Sequence, residues 1–251
     1  MVDFVGAGCG AADLITVRGM RLLQEADVII YAGSLVNPEL LKYAGDGCAV
    51  YDSAKMALED IIETIKEAEL AGKHTVRLQT GDLSLYGALR EQADRLDELG
   101  IEYRVTPGVS SMFGAAAALG AEYTLPSVSQ SVVITRMAGR TDVPGRESIE
   151  SFAAHGCTMV IFLSAGMTAE LSERLMNGGC APDTPAAIVY RATWEDEKIM
   201  RCTVGTLHET AAANGIKKTA LIIVGRVLGN DYELSKLYDR TFEPEYRKAE
   251  K

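Results

Sequence analysis

Apolar and polar positions alternate between two periods along this chain. Val2–Val5 is a short apolar run that ends in Gly6-Ala7-Gly8-Cys9-Gly10, a strand running into a turn. Thr16 can cap a helix whose apolar positions Val17, Met20, Leu22 and Leu23 follow helical spacing. Val28–Tyr31 reads as the next strand. Leu58, Ile61, Ile62 and Ile65 then repeat at i, i+3, i+4 and i+7, which predicts an amphipathic helix ending near Gly72. A strand over His74–Leu78, a helix marked by Leu89, Ala93 and Leu96 that stops at Gly100, and a strand over Ile101–Val105 complete the first half. Strands separated by helices imply a mainly parallel sheet covered on both faces.

Ser110–Gly120 is alanine-rich and reads as a close-packed helix. The polar, proline-containing stretch Glu122–Ser129 follows it and marks a domain boundary. The expected division is 1–120, 121–230 and a charged tail over 231–251. In the second half, strands are expected at Ser131–Thr135, Thr158–Leu163, Ala186–Tyr190 and Ala220–Val227. A helix is expected around Ala169–Met176, and Met200–Val204 suits an antiparallel strand.

Composition narrows the function. With 47% hydrophobic and 24% charged residues in 251, the chain has ordinary globular composition and a sizeable core. A net charge of −10 disfavours a general nucleic-acid binder, which needs a basic face. The run Gly114–Gly120 is far too short to cross a bilayer, and the first residues lack the pattern of a signal peptide. Five cysteines without a C-x-x-C pair, and three scattered histidines, offer no zinc spacing. The expectation is a cytoplasmic protein with reduced cysteines and no metal site.

Three glycine-containing loops carry the candidate chemistry. Val5-Gly6-Ala7-Gly8-Cys9-Gly10-Ala11 has the outline of a dinucleotide fingerprint. That motif also needs an acid at the end of the second strand, and here that strand ends Ile30-Tyr31-Ala32-Gly33. A nicotinamide oxidoreductase is therefore the weaker reading, and a ligand-free turn is as good by itself. Thr80-Gly81-Asp82-Leu83-Ser84-Leu85-Tyr86-Gly87 lies at a strand's carboxyl end, where ligands of α/β sheets gather. Asp82 alone reads equally well as a helix cap. Pro107-Gly108-Val109-Ser110-Ser111 is a turn followed by a hydroxyl cap.

As a set, in this order, these loops resemble the tetrapyrrole methylase family, over residues 2 to 228. Phe162-Leu163-Ser164-Ala165, Val189-Tyr190-Arg191-Ala192-Thr193 and Thr219-Ala220-Leu221-Ile222-Ile223-Val224-Gly225 resemble its second-domain segments. Tyr31-Ala32-Gly33-Ser34-Leu35-Val36-Asn37, Gln79–Gly87, Ser129–Arg136 and Ala138-Gly139-Arg140-Thr141 look most like the members that methylate C11 of precorrin-4, with or without cobalt. Family members usually have proline where this chain has Cys9.

The resemblance implies two α/β domains with the cofactor, S-adenosylmethionine, in the cleft between them. Carried over by motif position, the cofactor-binding residues are Gly8, Cys9, Thr80, Gly81, Asp82, Leu85, Ser110, Ser111, Leu163, Ala192 and Ala220. Its substrate is a tetrapyrrole rich in carboxylates. Arg136, Arg140 and Arg146 face one nearby acid, Asp142, and arginine suits carboxylates through its planar fork. Arg136 and Arg140 are thus expected to bind substrate, and Ser34 and Asn37 to touch the macrocycle. The last two fit a plain turn before Pro38 equally well. No side chain stands out as a general base. The family resemblance also implies a homodimer, and its neighbours offer alternatives: another ring carbon of another precorrin, or a protein side chain.

Overall fold

The computed structural model describes residues 1–235, 239, 241–243, 245 and 248. The chain divides into two compact units. The first holds Met1–Ala115 and Arg191–Glu197; the second holds Ala116–Tyr190 and the described residues from Lys198 onward. The division thus falls after Ala115, inside the alanine-rich helix, and one later segment returns to the first unit.

The first unit is a five-stranded parallel sheet. Its strands are β1 (Val2–Gly6), β2 (Val28–Tyr31), β3 (Ala49–Asp52), β4 (Thr75–Gln79) and β5 (Tyr103–Thr106), in the order β3-β2-β4-β1-β5. Helices α1 (Val17–Glu25), α2 (Leu58–Leu70) and α3 (Leu89–Leu99) connect them, and α4 (Ser111–Leu119) follows β5. One sheet face packs Val5, Ile29, Val76 and Leu78 with Leu22 and Leu23 of α1. The other packs Phe4, Ile30, Ile61, Ile65 and Leu96. β1 and β4 are buried throughout because both faces are covered.

The Thr16 cap and the Gly100 stop hold. The Thr16 side chain accepts from the Gly19 N–H, and Gly100 ends α3 in the left-handed conformation. Val17 is a correction: it is 61% exposed, and α1 buries Gly19, Leu22 and Leu23 instead. β3 escaped the sequence reading. It is a four-residue edge strand whose Val50 and Tyr51 stay exposed, so it carries little hydrophobic signal.

The second unit contains a mixed sheet of β6 (Val132–Arg136), β7 (Thr158–Phe162), β8 (Pro185–Tyr190), β9 (Lys198–Thr203) and β10 (Ala220–Val224), ordered β6-β7-β10-β8-β9. Only β6 and β7 are parallel; β10 runs antiparallel to both its neighbours, and β9 is antiparallel to β8. Helices α5 (Ile149–Ala153), α6 (Thr168–Asn177) and α7 (Leu207–Ala213) pack on it. The α5 and α7 turns were missed, being too short to show a period. The expected tail over 231–251 lies partly outside the described residues.

Candidate functional site

The sheet order places β1 between β4 and β5, so the three glycine-containing loops leave three adjacent carboxyl ends. Gly8 and Gly81 pair across the first two: the Gly8 N–H donates to the Gly81 carbonyl at 3.2 Å, and the Gly81 N–H to the Gly8 carbonyl at 2.9 Å. This contact requires backbone that approaches backbone. A Cβ on Gly6 would lie 2.6 Å from Gly108 Cα and 2.7 Å from the Gly81 oxygen, so a side chain there would push the loops apart.

Asp82 ties the second loop to the third. Its Oδ2 accepts from the Gly108 N–H at 2.9 Å, while Oδ1 accepts from the Ser84 N–H at 2.9 Å and from the Ser84 hydroxyl. Partial burial pushes this carboxyl upward. Hydrogen bonds from the Ser84 hydroxyl and the Ser84 and Gly108 N–H groups outweigh that, holding it below the ordinary carboxylate range. Asp82 therefore builds the loops through its side chain and does not cap the next helix, whose N-cap is Ala88.

The expected cofactor residues of the first unit gather here. Thr80 is exposed at the end of β4, Leu85 is half-buried, and Ser110 and Ser111 open α4. Gly81 is left-handed, with φ +62°, and a Cβ built on it meets nothing nearer than Ser110 Cα and Ser111 N at 3.7 Å. A Cβ there would thus sit in ordinary van der Waals contact with the amino end of α4, and the positive φ is what favours glycine at this buried position. At the end of β4, the buried Gln79 Oε1 has no hydrogen-bond partner among the described residues. Closely approaching backbone loops with a spare buried acceptor fit a polar ligand carrying donors.

Cys9 is placed differently from its loop neighbours. Its side chain is buried, packed on Gly114 of α4, and its Sγ accepts from the Thr193 hydroxyl at 3.6 Å. Thr193 Oγ1 also accepts from the Ala11 N–H at 2.9 Å. The buried Ala192 stands beside it, so Arg191–Glu197 closes over the first glycine loop. Arg191 stacks 4.3 Å from the Trp194 ring centre and pairs with Asp196 at 2.6 Å, which holds this segment folded.

Asn37 belongs to the same set of loops. Its Oδ1 accepts from the Glu39 N–H and its Nδ2 donates to the Gly10 carbonyl, both at 3.0 Å. Ser34 lies in the short 3-10 turn Gly33–Leu35, with its side chain outside the described part of the structure.

In the second unit, Leu163 follows β7 with φ +53° and is 67% exposed. Ala220 opens β10 opposite Tyr190. Arg136 is the last residue of β6. Its guanidinium donates to the carbonyls of Met137 (3.1 Å), Thr141 (3.1 Å) and Asp142 (2.7 Å). It thereby closes the loop that carries the exposed Arg140.

Sequence reasoning missed Arg77 and Gln92. Arg77 is a cation between the apolar Val76 and Leu78 of a strand, and Gln92 sits at i+3 from Leu89 on the apolar side of α3; those two oddities were the available signal. Burial lowers the Arg77 guanidinium to about 10, and it remains charged at neutral pH.

Among the described residues, no helix is long and apolar enough to cross a membrane. A profile of the tetrapyrrole (corrin/porphyrin) methylases matches residues 1–208. A cobalt-precorrin-4 C(11)-methyltransferase of Methanocaldococcus jannaschii is 51% identical over 251 residues, covering 100% of this chain and 97% of that protein. A precorrin-4 C(11)-methyltransferase of a Sinorhizobium species is 44% identical, covering 98% of each. Among solved structures, a cobalt precorrin-4 methyltransferase of cobalamin biosynthesis matches with a TM-score of 0.89 and 44% identity, covering 91% of this chain and 96% of that one. A uroporphyrin-III C-methyltransferase of Thermus thermophilus, complexed with S-adenosylhomocysteine, matches with a TM-score of 0.73 and 26% identity, over 90% and 92%.

Proposed function

This chain belongs to the tetrapyrrole methylase family, and from that premise we propose that it transfers a methyl group from S-adenosylmethionine to C11 of precorrin-4 or cobalt-precorrin-4. The observation that carries the reading is full-length similarity to relatives of that name, well above the similarity to the uroporphyrin enzyme.

The cofactor would supply a methyl already activated by its sulfonium. The protein's part is then to align the attacking carbon with that methyl and to keep water away, which is catalysis by orientation. In this reading the backbone of Gly8, Cys9, Thr80, Gly81 and Leu85, with Ser110, Ser111 and Ala192, holds the cofactor. Asp82 keeps their loops in register. A cradle of backbone and small residues lets a ligand approach closely and be held by N–H and C=O groups. Leu163 and Ala220 keep the cofactor role that family resemblance gives them. Arg136, Arg140, Ser34 and Asn37 keep the substrate role, with Arg136 also closing its own loop. No residue is assigned as a base. The same reading places the protein in the cytoplasm as a homodimer.

The experiment is a thermal shift. A ligand that binds only the folded state raises the melting temperature. S-adenosylhomocysteine is expected to raise it and NAD to leave it unchanged. The opposite pattern would overturn the methyltransferase reading in favour of a nicotinamide enzyme.

A further inference from the structure

Arg77 lies on the central strand β4, flanked across the sheet by Phe4 and Ile30, and is 5% exposed. Among the described residues it has no carboxylate partner. Burying a cation that way is costly unless its donors are all placed to some purpose. Its Nη1 donates to the Ile30 carbonyl at 3.1 Å, at the end of β2. Its Nε donates to Gln92 Oε1 at 2.8 Å. Gln92, 3% exposed on α3, donates in turn from Nε2 to the Ala88 carbonyl at 2.9 Å.

Ala88 ends the loop that begins at Thr80. It is left-handed, φ +48° and ψ +31°, and Tyr86 two residues earlier is left-handed as well, φ +56°. Neither is glycine, so both conformations oppose their own steric preference and persist only where surrounding contacts enforce them. Between them, a Cβ on Gly87 would lie 2.5 Å from the Leu83 carbonyl oxygen, so the loop folds tightly on itself. The hydrogen-bonded path from Arg77 through Gln92 reaches this strained segment from the sheet interior.

We propose that Arg77 and Gln92 are positioning residues, which hold the Thr80–Ala88 loop in the shape that receives the cofactor. This rests on the reading that the loop holds S-adenosylmethionine. Arg77 fixes the orientation of the Gln92 amide, presenting its oxygen to the guanidinium and its nitrogen to Ala88. Neither side chain touches the ligand.

Two variants separate this role from plain core packing. Gln92→Glu keeps an acceptor for Arg77, now an anion facing a cation, but has no donor for Ala88. Gln92→Met fills the same space with neither. Affinity for S-adenosylhomocysteine would be read by calorimetry, folding by thermal melting, and loop order by amide hydrogen exchange over residues 80–88. Both variants are expected to lose about tenfold in affinity, the worth of one net hydrogen bond. Exchange over 80–88 should quicken, while Gln92→Glu melts no lower than Gln92→Met. With a tetrapyrrole substrate, KM for S-adenosylmethionine should rise with little change in kcat. A folded variant with wild-type affinity and unchanged loop exchange would overturn the positioning role alone. Wild-type protein that fails to bind S-adenosylhomocysteine would overturn the cofactor reading and the positioning role together.

Discussion

Replacing Asp82 with asparagine probes the joint between the loops most sharply. The carboxylate accepts three hydrogen bonds, two from Ser84 and one from the Gly108 N–H. Asparagine can keep one oxygen for Ser84, but it then turns an N–H toward the Gly108 N–H. The hydrogen bond from Gly108 is charge-assisted and partly exposed, so its removal costs an amount at the low end for such bonds, about 1.5 kcal/mol. In a chain of this size that lowers the melting temperature by roughly 3–6 °C. The acidity of Asp82 adds a second signature. Its folded pKa is depressed, so its contribution is fully present above the unfolded value of about 3.9 and disappears as pH falls through the folded value. Urea midpoints of wild type and Asp82→Asn, measured from neutral pH down into the acid range, should differ by a constant amount and then converge. Equal stability at neutral pH, or a gap that persists undiminished in acid, would refute the role given to this carboxylate.

The opposite end of the first sheet offers a related test. Buried Asp3 accepts from Arg104 at 2.8 and 3.0 Å and contacts His74 Nε2 at 2.8 Å; desolvation raises its pKa, and those two partners lower it further than that. Asp3→Asn should cost about 2–3 kcal/mol in denaturant unfolding at neutral pH. Because the folded pKa is depressed, that cost should shrink only below the ordinary carboxylate range. Arg136→Ala removes donors from three carbonyls, so a stability loss of about 1–2 kcal/mol is expected by thermal melting. If Arg136 also binds substrate, tetrapyrrole affinity falls about tenfold or more while S-adenosylhomocysteine affinity holds; equal losses for both ligands would leave it a loop-closing residue.

What the sequence revealed followed periodicity and punctuation. The Leu58–Ile65 repeat, the Thr16 cap and the Gly100 stop located their helices because each signal is local. The mixed second sheet was less legible. Whether β10 runs parallel or antiparallel to β7 depends on pairings more than 50 residues apart, and the strand itself reads the same either way. The candidate site divides in the same manner. Glycines at strand ends marked the three loops, but nothing local joins Gly8 to Gly81 or Asp82 to Gly108; sheet order does. Cys9 read as a loop residue, yet its side chain turns inward to Gly114, a partner more than 100 residues away. Arg77 and Gln92 broke the apolar pattern visibly, and only the fold shows that each is the other's partner.

The central claim is the position of the transferred methyl. The direct measurement is incubation of the protein with S-adenosylmethionine carrying a carbon-13 methyl, together with precorrin-4 or cobalt-precorrin-4, followed by NMR of the product. A single new methyl resonance assigned to C11, with release of S-adenosylhomocysteine, is the result expected. A methyl on another ring carbon, or no transfer to either substrate from protein that binds S-adenosylhomocysteine, would contradict the account.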